Sequence, residues 1–120
     1  MKNLAPAIFR QRLLIEGFYT VDVTQTLLKD YLQGVAAHLN LRAYGEPVIF
    51  SPASGMGKAE NQGFDAFLPL IDSGISAYIW SGHKFLSIVI YTCKGFDEQA
   101  AIAYTQSFFV VTDEVVYQSF

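Results

Sequence analysis

The chain has a single cysteine, Cys93, among 120 residues, so no disulfide can form within it and its stability must come from burial and hydrogen bonding. Charge is also scarce: Asp, Glu, Lys and Arg make up 16% of the residues, too few to cover a monomer's surface generously, which points to self-association. The eight Lys and Arg are scattered from Lys2 to Lys94 without a cluster, and the net charge is -3, so the basic field that a nucleic acid requires is missing. No apolar run approaches the roughly 20 residues needed to span a bilayer, so no membrane segment is expected. The opening MKNLAPAIFRQR has no long apolar stretch of the signal-peptide kind, and with one cysteine the expected compartment is the cytoplasm. His38, His83 and Cys93 lack the short spacings of zinc ligands, so no metal site is expected. The sequence shows no internal repeat and no low-complexity tract.

What is present is apolar: 52% of residues are hydrophobic, which excludes disorder, and the length suits one domain over residues 1–120. Residues 12–21 (RLLIEGFYTV) read as a first strand. From Leu27, apolar residues recur at three-to-four spacing through Leu39, with Asp22 or Thr24 available as cap and Asn40 suited to a left-handed exit, which predicts an amphipathic helix. A short strand over residues 47–51 follows. The stretch 51–63 (SPASGMGKAENQG) concentrates Gly, Ser and Pro and reads as a mobile loop, of a length often used for lids or binding elements. Its GMGK lacks the two glycines five residues apart, followed by Lys and Ser or Thr, that a phosphate-binding loop needs.

Three apolar runs come next, over residues 64–71, 75–80 and 85–92, joined by DSG and SGHK as hairpin connections. Asp97 can cap a second helix with Ala100, Ala101, Ala103, Tyr104, Phe108 and Phe109 on its apolar stripe, and residues 110–117 can add a last strand. Strands with two amphipathic helices predict an α+β two-layer sandwich, both helices on one face of a mainly antiparallel sheet. The other face must then be solvated, hold a ligand, or pair with another subunit.

The segment DSGISAYIWSGHKFLSIVIYTC, residues 72–93, resembles the prokaryotic S-adenosylmethionine decarboxylase family. There an acid-Ser-His-Ile/Leu-Ser/Thr segment leads to a Trp-Pro-Glu turn and a strand ending Thr-Cys; Asp72, Ser73, Ile75, Ser76, Trp80, Thr92 and Cys93 fall on those positions. LLIEGFYTVD resembles the family's first strand and puts Glu16 on its acidic position. The resemblance implies self-cleavage between Asp72 and Ser73, with Ser73 converted to a pyruvoyl group, the cofactor, whose carbonyl captures the amine of a small amino-acid substrate and acts as an electron sink when carbon dioxide leaves. It implies Cys93 as proton donor, Glu16 in processing or substrate binding, Trp80 in substrate binding, a homodimer, and a place in polyamine biosynthesis.

The sequence departs from the family at Gly74 and Tyr78, where it has histidines, at Asp65, where it has a processing serine, and at Trp80-Ser81-Gly82, where it has Trp-Pro-Glu. Tyr78 and Asp65 are the candidates to replace the missing acid-base groups. Two other readings stand beside the decarboxylase. One is an uncleaved, inactive homologue that binds a small ligand or partner subunit; the other is a homodimer without a small-molecule site, whose aromatics Phe64, Phe67, Tyr78, Trp80, Phe85 and Tyr91 supply core and interface.

Overall fold

In the computed structural model, which describes residues 1–51 and 62–120, the chain forms β1 (Gln11–Phe18), α1 (Gln25–His38), β2 (Val48–Phe50), β3 (Gly63–Leu70), β4 (Ser73–Trp80), β5 (Phe85–Thr92), α2 (Glu98–Phe108) and β6 (Val116–Ser119). The GMGK segment and most of the loop expected over 51–63 lie outside the described residues.

The strands make one antiparallel sheet in the order β2-β3-β4-β5-β1-β6. Strand alternation decides its two faces. Leu13, Ile15, Leu68, Leu70, Ile75, Ala77, Leu86, Ile88 and Ile90 point to one side and are buried with Leu28, Leu32, Val35, Ala101 and Phe109 from the helical layer. Both helices therefore cover one face, the α+β sandwich expected from the sequence.

Capping fixes the helix starts. Of the two residues able to begin α1, Thr24 does so, its hydroxyl accepting from the Leu27 N–H at 3.1 Å, and Asp97 caps α2 through the Ala100 N–H. Between the helices the buried Tyr31 hydroxyl meets Thr105 Oγ1 at 2.7 Å, and Thr105 in turn donates to the Ala101 carbonyl. Burial pushes the Tyr31 phenol far above its ordinary value, so it remains a hydrogen-bond donor at every physiological pH.

Both helices leave through left-handed residues. Asn40 (φ 58°) ends α1, with the Leu41 N–H reaching back to the Ala36 carbonyl. Val110 (φ 50°) does the same after α2, an unfavourable conformation for a β-branched residue. The exit at Asn40 sends residues 41–44 along the end of β3, where Ala43 bridges Leu70 and the Ile71 N–H donates to the Arg42 carbonyl.

Some boundaries differ from those read in the sequence. β1 stops at Phe18, not 21: the Tyr19 N–H still bonds the Lys84 carbonyl and its ring continues the buried face against Phe109, but the Thr20 N–H is taken by the Phe109 carbonyl, which ends the pairing with β5. The last strand begins only at Val116, and its pairing with β1 runs to Ser119. The β3–β4 connection is shorter than DSG: Leu70 pairs with Ser73, so Ile71 and Asp72 alone make the turn. Asp72 adopts the left-handed conformation (φ 55°) that Asp tolerates, leaving Ser73 and Gly74 inside β4.

Candidate functional site

The two-residue turn puts Ser73 at the first position of β4, beside the end of β5 where Cys93 follows Thr92. Their contacts are specific. The Cys93 backbone N–H donates to Ser73 Oγ at 3.0 Å, and the Cys93 thiol donates to the Asp72 carbonyl oxygen, also at 3.0 Å. One residue therefore fixes the serine hydroxyl and polarises the carbonyl of the preceding peptide. Thr92 holds this strand end, its buried hydroxyl donating to the Lys94 carbonyl at 2.7 Å.

Ser73 stands on the border of two recesses. The first, about 280 Å³, lies beyond the strand ends and is lined by Leu41, Arg42, Leu70, Ile71, Asp72, Ser73, Cys93 and Lys94. Arg42 arrives there because of the α1 exit, and the Lys94 ammonium is anchored on the Asn40 carbonyl at 2.8 Å. The second recess opens on the uncovered sheet face, between Phe67 and Tyr91, with Asp72, Ser73, Gly74, Ser76 and Val89. Gly74 is its floor: a Cβ there would fall 2.5 Å from the Phe67 ring, so the ring occupies space that any side chain at 74 would fill.

Asp72, Ser73 and Cys93 thus come together as the sequence suggested. The remaining candidates do not join them within one chain. Cross-strand pairing sets Asp65 opposite Tyr78, Tyr78 opposite Ser87, and Ser87 opposite Glu16, forming one row across the open face. Five residues of strand, on the order of 16 Å, separate Ser73 from Tyr78 in that row. Asp65 and Tyr78 are therefore too far away to replace missing acid-base groups at Ser73 of their own chain. Glu16 is half-buried and accepts from the Ser87 hydroxyl at 2.8 Å.

Trp80 lies farther still, at the opposite end of β4, with Phe18, His83 and Phe85 around it. There the Tyr19 phenol, raised above its ordinary value by burial, donates to the Trp80 carbonyl at 3.4 Å. His38 packs on Tyr104 at the helical layer, away from Ser73. Among the aromatics read as core and interface, Phe64 alone points to the helices; Phe67, Tyr78, Trp80, Phe85 and Tyr91 share the open face.

Sequence reasoning missed Arg42 and Lys94. Lys94 follows Cys93 directly and was within reach of it. Arg42 carries no local signal, since a helix exit more than 25 residues upstream of Ser73 delivers it.

No family model matches the sequence, and no curated protein matches it. Among solved structures, the chain is similar to the adenosylmethionine decarboxylase from Aquifex aeolicus VF5, with a TM-score of 0.71 and 18% identity, over 94% of this chain and 89% of that one. The likeness shows a shared fold along nearly the whole of both chains.

Proposed function

We propose that the chain is a self-processing, pyruvoyl-dependent decarboxylase of an amino acid, S-adenosylmethionine or a relative. The observation that carries this reading is the double grip of Cys93 on Ser73 Oγ and on the Asp72 carbonyl. Shared fold supports it without establishing the activity.

Processing begins with Ser73 Oγ attacking the Asp72 carbonyl carbon. The thiol of Cys93 stabilises the oxygen as it gains charge, the peptide C–N bond breaks, an ester forms, and the hydroxyl proton ends on the freed amine. Removal of the Ser73 α-proton then expels the Asp72 carboxylate and leaves dehydroalanine, and water releases ammonia to give the keto acyl terminus. That terminus supplies an electrophilic carbonyl which holds a substrate amine and accepts the electron pair freed as carbon dioxide leaves. Cys93, next to the reacting residue, returns a proton to the substrate α-carbon. Leu70 and Ile71 limit water on one side, and the Phe67 ring does so on the other.

The same reading includes a homodimer through the open sheet face. Phe18, Val48, Phe50, Phe67, Val116 and Phe120 are each 45% exposed or more there, an apolar surface that a low-charge chain leaves uncovered. The row of Asp65, Tyr78 and Glu16 crosses that face, so Glu16 serves processing or substrate binding in a shared site between two copies.

Intact mass of freshly purified chain under denaturing conditions tests the reading. The expected result is two fragments, residues 1–72 and 73–120, whose summed mass differs from the 13.4 kDa chain by one water gained and one ammonia lost. A single intact chain after long incubation overturns it and leaves ligand or partner binding by an uncleaved homologue as the function.

A further inference from the structure

The recess beyond the strand ends carries an unbalanced charge. Arg42 and Lys94 both line it, and Asp72 is the one acid among its lining residues. Neither cation has a carboxylate partner among the described residues, where the ion pair present is Lys29 with Glu46. The fold fixes the Arg42 backbone through the bond from the Ile71 N–H to its carbonyl, and it fixes the Lys94 ammonium on the Asn40 carbonyl. Ser73 and Cys93 line the same recess, so a small molecule joined to residue 73 enters a space of about 280 Å³ that Arg42 and Lys94 also line.

Resting on the decarboxylase reading, we propose that the substrate is an acidic amino acid, whose side-chain carboxylate sits between Arg42 and Lys94. A guanidinium binds a carboxylate through two parallel hydrogen bonds, and an ammonium adds a point charge beside it. A cationic side chain, including the sulfonium of S-adenosylmethionine, would face two like charges there, which narrows the amino acids of the proposed reading to acidic ones and disfavours S-adenosylmethionine itself. The α-carboxylate that is lost lies instead toward the recess of Phe67, Val89 and Tyr91, whose lining residues include no cation. In the reaction the bond from the α-carbon to that carboxylate breaks, carbon dioxide leaves, and a proton takes its place on the α-carbon.

The test separates this inference from the reading it rests on by using the full chain as Ser73→Ala, which cannot cleave. Succinate, propionate and 1,4-diaminobutane are titrated while the backbone amide signals of Leu41, Cys93 and Lys94 are followed by NMR. The expected result is saturable shifts with succinate, at least tenfold weaker binding of propionate, none with the diamine, and about tenfold weaker succinate binding in R42A/K94A. Binding of the diamine at the same signals, equal binding of succinate and propionate, or indifference of succinate to R42A/K94A overturns the inference. Cleavage of the unmodified chain is scored separately by mass, so an intact chain refutes the pyruvoyl reading while the titration still decides what the recess selects.

Discussion

Replacing the thiol of Cys93 isolates its contact with the Asp72 carbonyl. The Cys93 side chain is exposed at a strand end, so Cys93→Ala leaves the core intact and keeps the backbone N–H that holds Ser73 Oγ. What it removes is the 3.0 Å donor on the carbonyl that Ser73 attacks in the proposed self-cleavage. A thiol is a weak donor, but the accepting oxygen gains charge in the transition state, and these opposing effects leave a net worth of about 1 kcal/mol. That corresponds to about fivefold slower self-cleavage. Cys93→Ser retains a donor and is expected to cleave within about twofold of the unmodified rate. The assay refolds chain purified in denaturant, quenches aliquots into acid, and follows loss of the 13.4 kDa species by mass. If Cys93→Ala cleaves as fast as the unmodified chain, or Cys93→Ser as slowly as Cys93→Ala, the thiol does not polarise this carbonyl and its bond to Asp72 is incidental.

Tyr31 and Thr105 form a testable pair: because the Thr105 proton goes to the Ala101 carbonyl, Tyr31 must donate, and each of Tyr31→Phe and Thr105→Val strands one buried group at a cost of about 1–2 kcal/mol. The double variant is expected to cost less than the sum in urea unfolding, and strict additivity would refute the bond's role between the helices. Val110→Gly should raise stability by about 1 kcal/mol by relieving a left-handed β-branched residue, read as a higher urea midpoint; a lower midpoint would mean that Val110 contributes packing its exposure does not suggest. If the proposed dimer forms, Phe18→Asp with Val116→Asp, both half-exposed on the open face, is expected to convert it to monomer without loss of helical signal, and an unchanged sedimentation coefficient would remove that face from the interface.

The fold was legible because its signals are local. Period-two alternation in residues 64–92 and three-to-four spacing after Leu27 specify which side of each element is buried, and Thr24, Asn40 and Asp97 mark ends through side-chain and backbone chemistry visible one residue at a time. Boundaries failed where tertiary contacts intervene: nothing in RLLIEGFYTV reveals that the Thr20 N–H is diverted to the Phe109 carbonyl. DSG reads as a turn because Gly is the usual left-handed residue, yet Asp72 takes that conformation and frees Gly74 to lie under the Phe67 ring. The candidate site was half legible for the same reason. Asp72, Ser73 and Cys93 sit at the ends of neighbouring strands, so hairpin order brings them together, whereas the register that separates Tyr78 and Asp65 from Ser73 appears only when strand spacing is counted.

Asn40 connects the fold to the chemistry. Its left-handed backbone ends α1 and turns the chain along β3, its carbonyl holds the Lys94 ammonium, and the two residues after it, Leu41 and Arg42, line the recess that Ser73 also lines. A helix terminus on one layer therefore sets the charge of a recess at the end of the sheet. Since a residue at left-handed φ with a short polar side chain can be replaced by Gly at little cost, the geometry of that exit survives Asn40→Gly, while a β-branched residue there would shift residues 41–44 against β3. The Arg42 side of the recess depends on the backbone path at 40–42, whereas Lys94 shares with Cys93 the end of β5, whose register with β4 sets the Cys93 grip on Ser73. A change at residue 42 can consequently alter the charge lining this recess while the contacts of Cys93 with Asp72 and Ser73 stay as they are.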